Sequence, residues 1–241
     1  MPQAIATLLN ARWIVPVEPE HCALEHHAIA IDEGRILAIL PREEAAARYH
    51  AGLCLDLDQH VLIPGLINAH THASMTLLRG LADDLPLMTW LQDHIWPVEA
   101  RWVGPDFVND GAQLAMAEML RGGTTCFNDM YMFPEVVAAA ARACGIRACV
   151  GLIAFDFPTG YAQSMDEYLA KGLQLHDDLR ADPLVRAAFA PHAPYTVSAS
   201  ALERIGRLAD DMNLPIHIHV HETAAEVARF QAEHGCRPLE R

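Results

Sequence analysis

The residues best suited to chemistry are two clusters of histidines. His70-Thr71-His72 closes an apolar run that begins just after Pro64-Gly65. Residues two apart on an extended strand project from one face, so both imidazoles can reach a single point. Such a pair suits a borderline-soft divalent ion such as zinc. Taken alone, the tripeptide is equally compatible with two separately hydrogen-bonded histidines. The second cluster, His217-Ile218-His219-Val220-His221-Glu222-Thr223, repeats the alternation. Spacing there does not say which of the three histidines is a ligand. Glu222 would face away on a continuing strand, so a role beside an ion requires the chain to turn near His221. Otherwise Glu222 is a solvated carboxylate opening the next helix. Because each buried imidazole needs hydrogen-bond partners, one shared metal site is a simpler account of both clusters than packing.

These clusters must be positioned by strands, and the sequence supplies candidates. Residues 1–62 read as short strands joined by turns: ATLLNARWIVPV, HHAIAIDEGRILAIL with its Asp32-Glu33-Gly34 turn, and AGLCLDLDQHVLIPG, which together suggest part of a small β-sandwich. From residue 63 to 241 apolar strands alternate with helical stretches, the pattern of a parallel sheet covered by helices. Expected strands are 66–72, 124–129, 147–154, 185–192 and 215–221. Expected helices include PDFVNDGAQLAMAEMLR stopped by Gly122-Gly123, PEVVAAAARAC ended by Gly145, and a helix after Ser198 or Ser200 as N-cap. The fold class is therefore α/β, a TIM-type (β/α) barrel of about five βα units following a small β portion. A complete barrel typically takes about 250 residues, so this one is expected to be unfinished at Arg241.

Composition excludes several classes. The 241 residues carry 17 Lys and Arg against 31 Asp and Glu, a formal charge of -14 that disfavours nucleic acid and anionic lipid surfaces as partners. The start lacks the features of a secretory signal, and no apolar run approaches the roughly 20 residues of a membrane span. A soluble cytoplasmic protein is expected, with assembly into a homo-oligomer left open. Cys22, Cys54, Cys126, Cys144, Cys149 and Cys236 show neither CxxC spacing nor clustering, which argues against disulfides and a thiolate zinc site. The H-x-E and P-C-x-x-C pattern of other zinc deaminases, HExxH, a Walker A loop and a GxSxG elbow are all absent.

The segments PGLINAHTHASMTLLRGLADDLPLMTWL, WPVEARW, GGTTCFNDM, APHAPYTVS and IHIHVHET together resemble the amidohydrolase superfamily. Within it they are similar to the branch that holds 5'-methylthioadenosine/S-adenosylhomocysteine deaminases and triazine hydrolases. The resemblance implies that His70, His72 and His219 are metal ligands. It implies Glu222 as the catalytic acid and base, in contact with substrate, and Glu99 and His192 as substrate contacts. It also implies a later histidine and aspartate, expected beyond Arg241. One departure concerns substrate: methylthioadenosine deaminases carry an arginine near the end of strand three, where this chain reads Val150-Gly151-Leu152-Ile153.

The implied reaction is hydrolytic deamination of an adenosine-type nucleoside, with water activated by one divalent ion adding at C6. Zinc is favoured by imidazole ligands, although iron or manganese would satisfy the same set. Glu222 would shuttle protons, while Glu99, an acceptor-only carboxylate, would hold ribose hydroxyls. Glu99 could instead be a helix-surface charge and His192 a core histidine. Trp90, Trp96 and Trp102 could wall an apolar pocket, though packing explains them equally well. Competing readings are a chlorohydrolase of s-triazines, a deaminase of guanine-like or pterin rings, and an inactive product that lacks part of the site.

Overall fold

A computed structural model describes residues 1–240, which divide into two compact units at Gly65 and Leu66. The first unit comprises β1 (Gln3–Ile14), β2 (Leu24–Asp32), β3 (Arg35–Pro41), α1 (Arg42–Arg48) and β4 (Tyr49–Leu62). They form a four-stranded sheet in the order β3-β2-β1-β4, with β1 and β4 parallel and the other pairs antiparallel. The β2–β3 hairpin turns at Glu33-Gly34, both with positive φ, as a two-residue turn matched to strand twist requires. Ile5, Leu8, Ala28, Leu40 and Tyr49 bury against Ala45 of α1. That seven-residue helix is absent from the sequence reading, which has only strands here, because it is too short to show helical periodicity.

The second unit alternates strand and helix. It contains β5 (Leu66–Thr71), a 3-10 segment Ala73–Leu78, and α2 (Leu87–Thr89), which runs through a π-helical stretch Trp90–Ile95 into α3 (Trp96–Trp102). Then follow α4 (Pro105–Arg121), β6 (Thr124–Asp129), α5 (Pro134–Cys144), β7 (Arg147–Ala154), α6 (Met165–Asp178), β8 (Val185–Pro191), α7 (Ala199–Met212) and α8 (Ala224–His234). The strands pair in parallel in the order β5-β6-β7-β8, with a helix after each, giving part of a (β/α) barrel. Phe127, Val150 and Phe189 of the sheet bury against Met116, Val137 and Ile205 of the covering helices.

Local signals explain most boundaries. Pro105 and Pro134 start their helices, where a missing N–H costs nothing. Gly145 ends α5 in the left-handed conformation, φ 70°. Ser198 caps α7 by accepting the N–H of Ala201. The expected fifth strand takes a different form: residues 215–221 make a single bridge, Ile216 to Phe189. The segment is nonetheless extended beside β8, since Phe189 N–H donates to Pro215 O, His217 N–H to Phe189 O and His219 N–H to His192 O. The third of these bonds falls out of step with the first two, so no continuous ladder forms.

Candidate metal and substrate site

All the candidate residues of the second unit lie beyond the C-terminal ends of its parallel strands, the face on which barrel folds place their sites. His70 lies near the end of β5 and His72 directly after it, Met130 and Tyr131 follow β6, Phe155 follows β7 and His192 follows β8. His219 sits beside His192 on the extended segment.

One nitrogen from each of His70, His72 and His219 lies within 4.8 Å of the others, the one such group among the described residues. The hydrogen bonds fix which nitrogens point inward. His72 Nδ1 donates to Met130 O at 2.6 Å and His219 Nδ1 to His192 O at 2.9 Å. A carbonyl only accepts, so both Nδ1 atoms carry the proton and both Nε2 atoms carry lone pairs. Those two Nε2 atoms face each other at 3.2 Å. Two facing lone pairs repel unless a cation lies between them. Ligands about 2.0–2.1 Å from one tetrahedral ion stand about 3.3 Å apart, which the observed separation matches. Burial, opposed by the Met130 bond and reinforced by the neighbouring imidazoles, pushes His72 down to about 4. The donor set therefore fits a divalent metal ion.

His221 turns away, its Nε2 meeting the N–H of Leu239, while its backbone adopts φ 59°. The chain thus reverses at the position where a role for Glu222 beside an ion would need it to. Thr223-Ala224-Ala225-Glu226 has the sequence pattern of a capping box, with its glutamate reaching back past the N-cap to secure the reversal. The Thr223 side chain accepts the N–H of Glu226, while the buried Glu226 carboxylate accepts the N–H groups of His221 and Glu222. The S/T-x-x-E pattern was available in the sequence as a signal for this residue, which the sequence reading omits.

Glu222 lines a cleft together with His72, Glu99, His192 and His219. Tyr195 donates to Glu222 Oε2 at 2.9 Å, and Tyr131 donates to Glu99 Oε1 at 2.7 Å, leaving one oxygen of each carboxylate available. Burial raises the Glu99 carboxyl, opposed by the Tyr131 bond. His192 Nδ1 donates to Thr196 Oγ1, whose own proton goes to Ala193 O, so His192 offers a bare Nε2. Burial, then His219 and His72, push that imidazole down to about 3. Trp90 and Trp96 line the same cleft, whereas Trp102 is 59% exposed.

Nothing in the sequence spacing singles out Tyr131, Tyr195 or His217, whose Nε2 lies 2.7 Å from His70 Nδ1. The same holds for Asp129, fully buried at the end of β6, whose Oδ1 accepts the N–H of Ala73 just after His72. Its isolation from water pushes it up to about 7.

Residues 61–241 match the amidohydrolase family. The chain is 51% identical over 97% of its length to a 5-methylthioadenosine/S-adenosylhomocysteine deaminase of Saccharophagus degradans, of which it covers 52%. An adenosine deaminase from Xanthomonas campestris, solved with bound zinc, is 53% identical with a TM-score of 0.98; the match covers all of this chain and 55% of that one. The atrazine chlorohydrolase of Arthrobacter aurescens shares the fold at 21% identity and a TM-score of 0.86, over 97% of this chain and 57% of that one. The chain spans about half the length of the relatives it matches.

Proposed function

The chain belongs to the amidohydrolase family, and from that premise we propose that its protein is a metal-dependent deaminase of adenosine-type nucleosides. The observation that carries this reading is the facing pair of unprotonated Nε2 atoms on His72 and His219, with His70 beside them and two tyrosine-held carboxylates in the same cleft. His70, His72 and His219 are the proposed ligands, and zinc the proposed ion. A bound ion there supplies Lewis acidity, which can bring the pKa of water down to about 7.

The protein's own groups divide the remaining work. Glu222, fixed by Tyr195, takes a proton from the attacking water and passes it to the ring nitrogen beside C6. It then carries the proton of the new C6 hydroxyl to the departing amine, so that water and nucleoside become ammonia and an inosine-type product. Glu99 accepts from ribose hydroxyls with the oxygen that Tyr131 leaves free. His192 Nε2 accepts from a donor on the substrate. An adjoining cleft shares Trp96, Glu99 and Phe155 and continues to Phe157 and Pro158, offering apolar walls to a 5' substituent.

The test is ammonia release by the full-length protein from 5'-methylthioadenosine, S-adenosylhomocysteine and adenosine, set against guanine and an s-triazine. Nucleoside turnover well above the others is expected. Preference for a free heterocycle would overturn the reading, since Glu99 would then lack its partner.

A further inference from the structure

An imidazole that ligates a metal usually donates its second ring nitrogen to a fixed acceptor, which sets its tautomer and aims its lone pair. For His72 and His219 the acceptors are backbone carbonyls, Met130 O and His192 O. His70 has no such carbonyl. Its Nδ1 meets a side chain instead, His217 Nε2 at 2.7 Å, with the rings edge-on at 86°.

The distance decides what His217 is. Two ligands of one tetrahedral ion would stand about 3.3 Å apart; 2.7 Å is the separation of a donor and an acceptor sharing one proton. Two assignments of that proton exist. If His217 donated, the His70 proton would sit on Nε2, and His70 would have no lone pair for an ion. If His70 donates, its Nε2 is bare like those of His72 and His219, and His217 carries its own proton on Nδ1. Among the described residues that Nδ1 is buried without a hydrogen-bond partner, so no group there holds the ring in another orientation.

We propose that His217 is a positioning residue of the metal centre, accepting the Nδ1 proton of His70 through Nε2 and so aiming the His70 Nε2 lone pair at the point shared with His72 and His219. This rests on the three-histidine metal reading.

The test uses the full-length protein stripped of metal. Zinc affinity is measured by competition with a chromophoric chelator, and the cobalt-substituted form is read by its visible absorption. His217→Phe removes the acceptor while keeping a flat ring, and His217→Gln retains an acceptor. His217→Phe is expected to weaken zinc binding about 10- to 100-fold and shift the cobalt bands, with His217→Gln recovering most of both. Unchanged affinity and spectrum in His217→Phe would overturn the proposal. So would a loss as complete as that of His219→Ala, which would make His217 a ligand, or equal loss in both His217 variants, which would make its role purely one of packing. The underlying metal reading fails separately, if the unmutated protein binds no zinc or if His70→Ala binds it normally.

Discussion

Glu222 and Glu99 share a cleft, yet their surroundings differ as the different tasks proposed for them would need. Glu222 is exposed and held at one oxygen by Tyr195, whereas Glu99 is half-buried against Tyr131. Glu222→Gln keeps the shape and can still accept from Tyr195, but it cannot carry protons. The expected result is a fall in kcat of about 10²- to 10⁴-fold with metal stoichiometry unchanged, measured by steady-state kinetics and elemental analysis on one sample. A rate near that of the parent would remove Glu222 from the chemistry. Glu99→Ala should discriminate differently. Hydrogen bonds to a charged group are worth about 1.5–3 kcal/mol, so kcat/KM for a nucleoside should drop about 10- to 150-fold. For a free purine base it should hardly move, and equal losses for both would rule out the ribose role. The spacing of the two histidine clusters pointed in the sequence to one shared metal site, whereas the choice of His219 and the role of Glu222 came only from the resemblance, because alternation treats His217, His219 and His221 alike. In the structure the turn at His221 and the His70–His217 bond separate the three.

At the scale of elements, the site depends on two junctions. The first is the capping box at the start of α8, where Glu226 gathers the N–H groups of His221 and Glu222. Glu226→Ala removes the acceptor of both N–H groups and should cost about 1–3 kcal/mol in denaturant unfolding. It should also lower kcat more than it raises KM, because the turn that presents Glu222 is loosened while the metal ligands stay. A mutant impaired in KM alone would contradict this. The second junction joins α4 to the segment after His72. A Cβ on Gly111 would stand 2.8 Å from Ser74 Cα and nearer still to its carbonyl oxygen, while Ser74 Oγ donates to Val108 O. Gly111→Ala must push the Ala73–Leu78 segment away from α4, at a cost of about 1–3 kcal/mol and with weaker zinc binding. Unchanged stability and affinity would show that the segment yields freely. The starts of β6 and β7 were legible because each follows the glycines that end the preceding helix, Gly122-Gly123 and Gly145. The π-helical stretch Trp90–Ile95 was not, since its five-residue bonding leaves no distinct spacing in the sequence.

The whole chain presents two contrasting units. Alternation of strand and helix from Leu66 onward could be read directly, because each βα step repeats the same pattern. The first unit's pairing order could not: β1 lies between β2 and β4, and its parallel partner β4 comes only after a hairpin and a helix. In the second unit His70 lies near the end of β5 and His72 directly after it. Both are tied by the pairing of β5 with β6 and by the contact of the following segment with α4. A cation joining β5 to His219, next to β8 at the opposite side of the four-strand order, links the two sides directly. Metal binding should consequently act on stability as any ligand specific to the folded state does. At a free concentration about 100 times its Kd, a ligand contributes about 2.7 kcal/mol. For a chain of about 150–250 residues each kcal/mol moves Tm by about 2–4 °C, so zinc added to metal-free chain should raise Tm by about 5–10 °C, reversed by a chelator. His72→Ala should abolish the rise, and an equal shift in that variant would place the bound zinc elsewhere.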